Sequence, residues 1–487
     1  MRDFRTKIAA AAAVAMLFGP GAEAQQRSPR TATVQQTPEQ VAIGLRDAAR
    51  RGTSAYPLVQ ELTTRFGPRL AGTPAEHRAA DWLAGRFRQL GFENVRVEQF
   101  PLTVWTRGFE RAEVIGAHPQ PLTVVGLGGT IPTGPQGVEG EVALFETLQD
   151  LTDAVPGSLT GKIAVVLTET PRTQSGAGYG STSAARSQGP TVAAQRGAIG
   201  FLLRSLGTHD HRFAHTGATR IGPGTIPAFA MSPPDAEQLR RLAALGPVRV
   251  RLFSTPGTVT QGRSQNVVGE VRGRERPEEV IVIGGHLDSW DLGTGAIDDG
   301  AGVAITTAAL DLIRRLPQRP RRTIRAVAWG SEEVSQPEPT RGLAGARFYA
   351  DSRKGELARH VIASESDFGA GPIYSFSLPA GWADSVLARR AANVLAPLGV
   401  LFDRSASMGG GPDTGPLVQE GVPTFRLAQD GTDYFDVHHT ADDVLERIDP
   451  KNLDQNVAAW AALLWMLAES DADFRAPAPA SPAATAP

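Results

Sequence analysis

Residues 279–302 read EVIVIGGHLDSWDLGTGAIDDGAG, and this stretch decides the fold class. It opens with an apolar run rich in β-branched residues, which predicts a buried strand from Glu279 to Gly284. Polar and glycine-rich sequence follows at once, and an apolar helical pattern starts at about Gly300 and ends near Leu316. A buried strand, a polar turn and an apolar helix are typical of an open α/β sheet, in which functional residues lie where strands end.

The alternation of strands and helices continues from this stretch to the C-terminal region. Strands are predicted at 322–329, 360–364 and 424–427, and helices at about 341–351, 381–395 and 450–469. Upstream, helical spacing from Glu39 to Leu62 and from Pro74 to Leu90 predicts two amphipathic helices, and Val95 to Val104 alternates like a strand. The sequence therefore predicts an α/β fold, a mixed β-sheet flanked by helices on both faces.

Bulk composition excludes several classes of function. The 487 residues carry a formal net charge of -2, so no overall field attracts nucleic acid or an acidic membrane surface. The chain has no cysteine, which excludes disulfides and thiolate metal ligands and leaves only nitrogen and oxygen donors for a metal. We expect neither a nucleic acid nor a membrane as partner.

Both ends of the chain differ in composition from the rest. Basic residues, an apolar stretch from Ile8 to Phe18 and an Ala22-Glu23-Ala24 step predict a cleaved signal peptide at 1–24. The stretch is shorter than the roughly 20 residues that span a bilayer, so we expect a secreted or periplasmic protein. Residues 25–38 and the tail at 475–487 are predicted to be disordered. Between them, the composition predicts a main domain at 39–114 and 256–474 and an inserted β-rich domain at 115–255.

Two imidazoles and three carboxylates recur in order along the second half of the chain: His286, Asp298, Glu333, Asp367 and His439. Imidazole nitrogen and carboxylate oxygen are ligands that zinc accepts, and two zinc ions a few ångströms apart can together polarise a carbonyl and activate water. Two metals need a shared ligand. Asp298 suits that role best, because a carboxylate offers one oxygen to each ion and the surrounding glycines allow close backbone approach.

Acidic residues beside these candidates suit supporting roles. Asp288 lies two residues beyond His286, on the same face of an extended strand, where its carboxylate can accept the other ring N–H of His286. Glu332 and Glu333 end a buried strand and point in different directions. One of the two can bind a metal while the other acts as a general base.

Residues 265–470 resemble the co-catalytic di-zinc exopeptidases, a family that includes bacterial secreted aminopeptidases and the carboxypeptidase Q branch, to which the likeness is greatest. The motifs that carry the resemblance are GHLDSWD at 285–291, DDG at 298–300, Glu332-Glu333, ESD at 365–367 and His438-His439, with RLAGT at 69–73 upstream. Short motifs at 161–163, 196–198 and 226–228 resemble the protease-associated domain, which implies that identity for the insert and makes the main domain the peptidase domain.

The resemblance implies a zinc-exopeptidase fold, two zinc ions per chain and short peptides as substrates. It makes His286, Asp298, Glu333, Asp367 and His439 the metal ligands, with His286 and Asp367 on one ion and Glu333 and His439 on the other. It makes Glu332 the general base. Many relatives carry tyrosine where this chain has His438, and we assign His438 the catalytic role of that tyrosine, which is to stabilise the oxyanion.

Other readings stay open at this stage. The same motifs fit an aminopeptidase, a receptor-like binding protein that has lost catalysis, or an aminoacyl cyclase with one zinc. The intact ligand set and Glu332-Glu333 favour the exopeptidase. Asp413 either caps a helix or supports the site. His209, His211 and His215 are expected in a solvated loop of the insert rather than at a third metal. No interface signal stands out, so a homodimer is left open.

Overall fold

The computed structural model describes residues 36–222, 224–255, 259–404 and 409–478. The predicted signal peptide, most of the predicted disordered segment at 25–38 and the tail beyond residue 478 lie outside the described residues. Where the two predicted disordered segments are described, the chain is ordered: Thr37 caps the first helix and the Arg475 guanidinium donates to the Leu357 carbonyl, 2.6 Å away.

The α-helices of the described residues are α1 Pro38–Ala49, α2 Ala55–Phe66, α3 Pro74–Gln89, α4 Leu148–Asp153, α5 Ala177–Gln195, α6 Pro233–Ala243, α7 Ala301–Arg314, α8 Ala344–Ser352, α9 Val386–Leu395, α10 Gly415–Gln419, α11 Tyr434–Val437 and α12 Pro450–Glu469. The strands are β1 Glu93–Val104, β2 Phe109–Ile115, β3 Gln120–Leu122, β4 Val124–Gly126, β5 Val138–Phe145, β6 Lys162–Val166, β7 Gly200–Arg204, β8 Ala228–Met231, β9 Arg249–Thr255, β10 Thr260–Val271, β11 Arg276–His286, β12 Arg322–Trp329, β13 His360–Glu365, β14 Ile373–Ser377, β15 Leu401–Phe402 and β16 Arg426–Gln429. None of the helices described is long and apolar enough to cross a membrane.

A five-stranded mixed sheet with the order β1-β10-β12-β11-β13 forms the centre of the main domain. Strands β12, β11 and β13 are parallel, whereas β1 and β10 are antiparallel additions at one edge. The carboxyl ends of the three parallel strands therefore meet at one edge of the sheet, where open α/β sheets place their sites.

Helices cover both faces of this sheet because successive side chains of β11 point to opposite sides. Ile281 and Ile283 belong to a core cluster with α1, α2, α3, α7 and α12. Val280 and Val282 belong to a second cluster with Tyr349 of α8 on the other face. The arrangement explains the continuous apolar run of β11, since a parallel strand buried on both faces has no polar side.

A second sheet of eight strands, in the order β3-β2-β9-β5-β6-β7-β8-β4, is built from residues 109–255. Strand β2 begins six residues before residue 115, the predicted start of the insert, and ends at it. Strands β5 to β8 run parallel beside helices α4, α5 and α6. The division into a peptidase domain and a protease-associated insert stays a prediction.

The predicted bounds of some elements agree with the structure, and one predicted helix is two helices. Strand β12 and helix α12 have the predicted bounds. The prediction of one helix from Glu39 to Leu62 was wrong, because the chain turns between α1 and α2 at Gly52, whose φ of +125° suits glycine.

Two glycines of the opening stretch allow the backbone to close around the site. A side chain at Gly285 would collide with the Asp299 carboxylate and the Val303 main chain, and one at Gly302 would collide with the Ser366 carbonyl. The two positions pack β11 against the start of α7 at the distance that only glycine permits.

Glu76 provides a test of the packing between α3 and β10. Its fully buried carboxylate accepts hydrogen bonds from Ser264, Gln265 and Gly72, but burial outweighs them and raises the pKa to about 8. Between about pH 4.5 and about pH 8 the Glu76 carboxyl is protonated in the folded state and ionised in the unfolded chain. The free energy of unfolding therefore declines as the pH rises through this range.

We expect Glu76→Gln to remove that decline. The difference in unfolding free energy between variant and wild type should shift in favour of the variant by on the order of 3 kcal/mol between about pH 5 and about pH 8. Urea unfolding at the two pH values measures this, and any constant cost of the amide cancels in the comparison. A difference independent of pH would contradict the assignment.

Candidate active site

The predicted site residues lie at the carboxyl ends of the parallel strands. His286 ends β11, Glu332 and Glu333 follow β12, and Asp367 follows β13. Asp298 lies in the turn Ala296–Gly300 before α7, and the sequence His438-His439 follows α11. Residues distant in sequence are therefore brought to one edge of the sheet.

Asp298 stands between two imidazole–carboxylate pairs. Its Oδ1 lies 3.1 Å from His286 Nε2, which is 3.5 Å from Asp367 Oδ1. Its Oδ2 lies 3.3 Å from His439 Nε2, which is 3.0 Å from Glu333 Oε2. The other four side chains predicted as ligands are thus gathered around the one carboxylate that the sequence favoured as shared.

Burial and opposite charge act against each other in this cluster. Burial alone would raise the pKa of Asp298, but the His286 and His439 imidazoles hold it well below its ordinary value. Burial alone would lower the pKa of both imidazoles, yet the facing carboxylates raise it well above the usual range. The carboxylates therefore favour positive charge at the positions between the side chains.

The donor set fits metal ions. Two groups of side chains present ligand atoms within 4.8 Å of one another: His286, Asp298 and Asp367 form one, and Asp298, His438 and His439 form the other. Asp298 Oδ2 and Glu333 Oε1 are buried and have no hydrogen-bond partner among the described residues. Buried oxygens of this kind are costly unless a donor or a cation satisfies them, and imidazole and carboxylate ligands suit zinc.

Asp288 supports the cluster differently from the prediction. The His286 Nδ1 lies 2.9 Å from the main-chain oxygen of Asp288 and 3.8 Å from its carboxylate. A proton on Nδ1 donated to that carbonyl leaves Nε2 free to face Asp298 and Asp367. The Asp288 carboxylate instead accepts the main-chain N–H groups of Glu332 and Glu333, at 3.1 and 3.2 Å. It positions the two glutamates rather than the imidazole.

Sequence reasoning missed three side chains that shape the turn around Asp298. Asp299 accepts the main-chain N–H of His286, and Asp443 accepts that of Ile297. Burial raises the pKa of Asp443 to about 7. The fully buried Arg69 donates to the carbonyls of Leu287, Thr294 and Gly295. Arg69 lies in the RLAGT motif at 69–73 and Asp299 in the DDG motif at 298–300, so these motifs could have indicated both residues. No motif in the sequence around Asp443 indicated its role.

Glu332 is half-buried beside the cluster. Its side chain is close enough to His286, Glu333 and Asp367 for their charges to affect it. Burial raises the pKa of Glu332 well above its ordinary value, and the negative charges of Glu333 and Asp367 act in the same direction. A carboxyl group with a raised pKa is suited to accept and return a proton.

His438 stacks on His439 with ring centroids 3.5 Å apart, and its Nε2 lies 3.6 Å from Asp298 Oδ2. Burial and the neighbouring His439 lower the pKa of His438 well below its ordinary value, so the ring is neutral.

Asp413 does not cap a helix. Its main-chain N–H donates to Glu365, and both carboxyl groups are buried with raised pKa values.

The insert histidines are not in a solvated loop, contrary to the prediction for two of them. His209 and His215 are buried, with their Nε2 atoms 2.7 Å apart, while His211 is exposed. His215 Nδ1 lies 2.7 Å from the His438 carbonyl, and the Thr216 N–H donates to the His439 carbonyl. This loop therefore fixes the backbone of the two site histidines.

Known proteins resemble this chain over most of its length. A model described as peptidase family M28 matches residues 266–464. Carboxypeptidase Q of Mus musculus is 32% identical over 420 residues, a match that covers 86% of this chain and 86% of the relative. The chain belongs to peptidase family M28. The predicted resemblance and the prediction of a metallo-exopeptidase are therefore confirmed.

Solved structures share the fold of this chain. A peptidase M28 precursor from Shewanella amazonensis SB2B is 44% identical, with a TM-score of 0.86 and coverage of 91% of this chain and 99% of that chain. A zinc aminopeptidase from Bacillus subtilis is 20% identical, with a TM-score of 0.60 and coverage of 86% and 96%, and shows the fold alone. These structures confirm the predicted α/β fold class.

We expect Asp288→Asn to separate the two roles considered for this residue. The main-chain carbonyl that orients His286 remains, so metal content should stay at the wild-type level. An amide offers one acceptor oxygen instead of two, so Glu332 or Glu333 loses its anchor and kcat should fall about 10- to 100-fold. Elemental analysis and steady-state kinetics measure the two quantities. A loss of metal, with kcat per bound metal unchanged, would instead favour the carboxylate as the partner of His286.

Proposed function

We propose that this chain is a secreted or periplasmic di-zinc exopeptidase that hydrolyses dipeptides or short peptides, similar to carboxypeptidase Q. The observation that carries the proposal is the position of Asp298, with one oxygen toward His286 and the other toward His439. A carboxylate shared in this way suits a pair of metal ions a few ångströms apart. The leader sequence at 1–24 supports export.

The proposed ligands divide into two sets around the shared carboxylate. His286 and Asp367 would hold one zinc, and Glu333 and His439 would hold the other, with Asp298 common to both. The 3.5 Å and 3.0 Å approaches within the two pairs support this division. Three carboxylates against the four positive charges of two zinc ions leave one positive charge, which favours an anionic nucleophile at the site.

Bound zinc would polarise the scissile carbonyl and lower the pKa of the attacking water. Glu332, held by the Asp288 carboxylate through its main-chain N–H, would take the proton from that water and deliver it to the leaving amine nitrogen. His438, neutral and stacked on His439, can donate a ring N–H to the oxyanion of the tetrahedral intermediate. The raised pKa of Glu332 suits a group that both accepts and returns a proton.

An aminopeptidase is the second candidate, supported by the zinc aminopeptidase of the same fold. The two activities share the metal chemistry and differ in which terminus of the substrate is recognised. A receptor-like protein without catalysis would not need Glu332 and the whole ligand set, and an aminoacyl cyclase with one zinc would not need the second pair.

We expect Glu332→Gln to keep the metal content and to lower kcat by about 10²- to 10⁴-fold, because the amide cannot take the proton of the attacking water. Hydrolysis of a dipeptide panel and elemental analysis of the same preparation measure this. Glu420→Gln, at an exposed glutamate on the same domain, serves as the control and should behave like wild type. Wild-type turnover in Glu332→Gln would remove Glu332 as the base.

A further inference from the structure

Helix α5 of residues 177–195 lies against the active-site histidines. The Tyr179 ring stacks on Phe435 at 4.5 Å between centroids and meets the edge of His438 at 4.9 Å. Two turns further along the helix, the half-buried Arg186 brings its Nη1 to 3.3 Å from His439 Nδ1. The eight-stranded sheet region therefore contributes side chains to a site whose candidate ligands all come from the main domain.

Arg186 has no carboxylate partner within 4 Å in the part of the chain that the structure describes. Its Nη1 donates to the Tyr179 hydroxyl, and its Nε is buried without a hydrogen-bond partner among the described residues. Neighbouring arginines differ in this respect, since Arg172 pairs with Asp433 and Asp436 and Arg107 pairs with Asp291. A half-buried guanidinium without an anion is costly, which indicates that an anion comes from outside the chain.

His439 does not satisfy this guanidinium. Its Nε2 faces Glu333 and Asp298, and its Nδ1 lies 3.3 Å from the Thr216 carbonyl. A proton on Nδ1 serves that carbonyl, so Nδ1 offers Arg186 no acceptor. Gly217 next in sequence makes room for the guanidinium, because a side chain there would collide with it.

We propose that Arg186 binds the free α-carboxylate of the residue directly after the scissile bond, so that the enzyme releases single C-terminal residues, with dipeptides as its shortest substrates. This inference rests on the proposed function. A guanidinium N–H forms charge-assisted hydrogen bonds with a carboxylate, and no hydrogen bond of Arg186 Nη2 to a described residue competes for it. Each further residue would move the carboxylate by up to about 3.3–3.6 Å, so an arginine in contact with a candidate metal ligand selects a single residue on the leaving side.

The charge of the site also favours a substrate with a free C-terminal carboxylate. If the proposed pair of zinc ions is bound, three carboxylates leave one positive charge there, and Arg186 adds a second beside it. An α-carboxylate on the leaving residue would be attracted, whereas an amide in its place would leave the guanidinium without its anion. Sites that bind a polar group with buried partners discriminate strongly against substrates that lack it.

The test compares alanyl-alanine with its C-terminal amide, because the two substrates share a free amine and both side chains. We expect the zinc-loaded wild type to favour the acid in kcat/KM by about 10- to 100-fold, the range of a charge-assisted hydrogen-bond pair. Arg186→Met should remove this preference by lowering the value for the acid alone. Arg186→Lys should restore part of it as a point charge.

Two further variants separate recognition from structural support. Arg220→Met changes an exposed arginine whose main-chain N–H donates to the Ser187 carbonyl of α5, and should retain the wild-type preference. Tyr179→Phe removes the hydroxyl that Arg186 contacts and should keep the preference for the acid. If Tyr179→Phe abolishes the preference as Arg186→Met does, Arg186 acts by holding Tyr179 and the inference is overturned.

Binding without turnover gives an independent readout. Calorimetry with a non-hydrolysable phosphinic dipeptide analogue and its amide should show the same preference in wild type and its loss in Arg186→Met. Equal kcat/KM for acid and amide in wild type, or an equal loss for both in Arg186→Met, would overturn the role of Arg186 while the proposed function stands. Absence of hydrolysis of either substrate would overturn the proposed function, and the calorimetric preference would then decide on Arg186 alone.

Discussion

The burial of several carboxylates around two histidines is the constraint on which the rest of this structure depends. Asp298, Glu333 and Asp367 lie within hydrogen-bonding or ion-pair distance of His286 or His439, and all are nearly inaccessible to solvent. Buried carboxylates without compensating positive charge would shift toward the neutral form or destabilise the fold. The two imidazoles supply part of that charge, and a pair of divalent cations would supply the rest.

The surrounding structure holds these side chains through the main chain. The carboxylates of Asp288, Asp299 and Asp443 accept N–H groups of residues that carry or flank the candidate ligands. The glycines of the opening stretch allow β11 and α7 to approach closely enough for this. The site therefore depends on turns fixed by buried acids as much as on the ligands themselves, and a change in one of these acids moves a ligand without removing it.

The sequence was sufficient where a local pattern determines the structure. The apolar run of β12 and the long helix α12 were predicted with their observed bounds, because burial on both faces leaves an uninterrupted signal. Three of the five candidate ligands, His286, Glu333 and Asp367, lie at or just after the ends of parallel strands, where functional residues were expected. The role of the Asp288 carboxylate was missed, since the choice between its carbonyl and its carboxylate depends on where Glu332 and Glu333 lie.

Sequence patterns could not predict contacts between segments that are distant in the chain. Arg186 lies 253 residues from His439, and no periodicity links them. His209 and His215 looked like solvated loop residues, yet they are buried against the main chain of His438. Such contacts arise where residues 109–255 pack against the segment that carries His438 and His439, which composition alone does not specify.

Zinc titration of the metal-free chain tests most directly whether two metal positions share Asp298. We expect two zinc ions per chain for wild type and a loss of affinity at both positions together in Asp298→Ala, because each position loses a ligand. Binding of one zinc by wild type, or one position of unchanged affinity in Asp298→Ala, would contradict the sharing of Asp298.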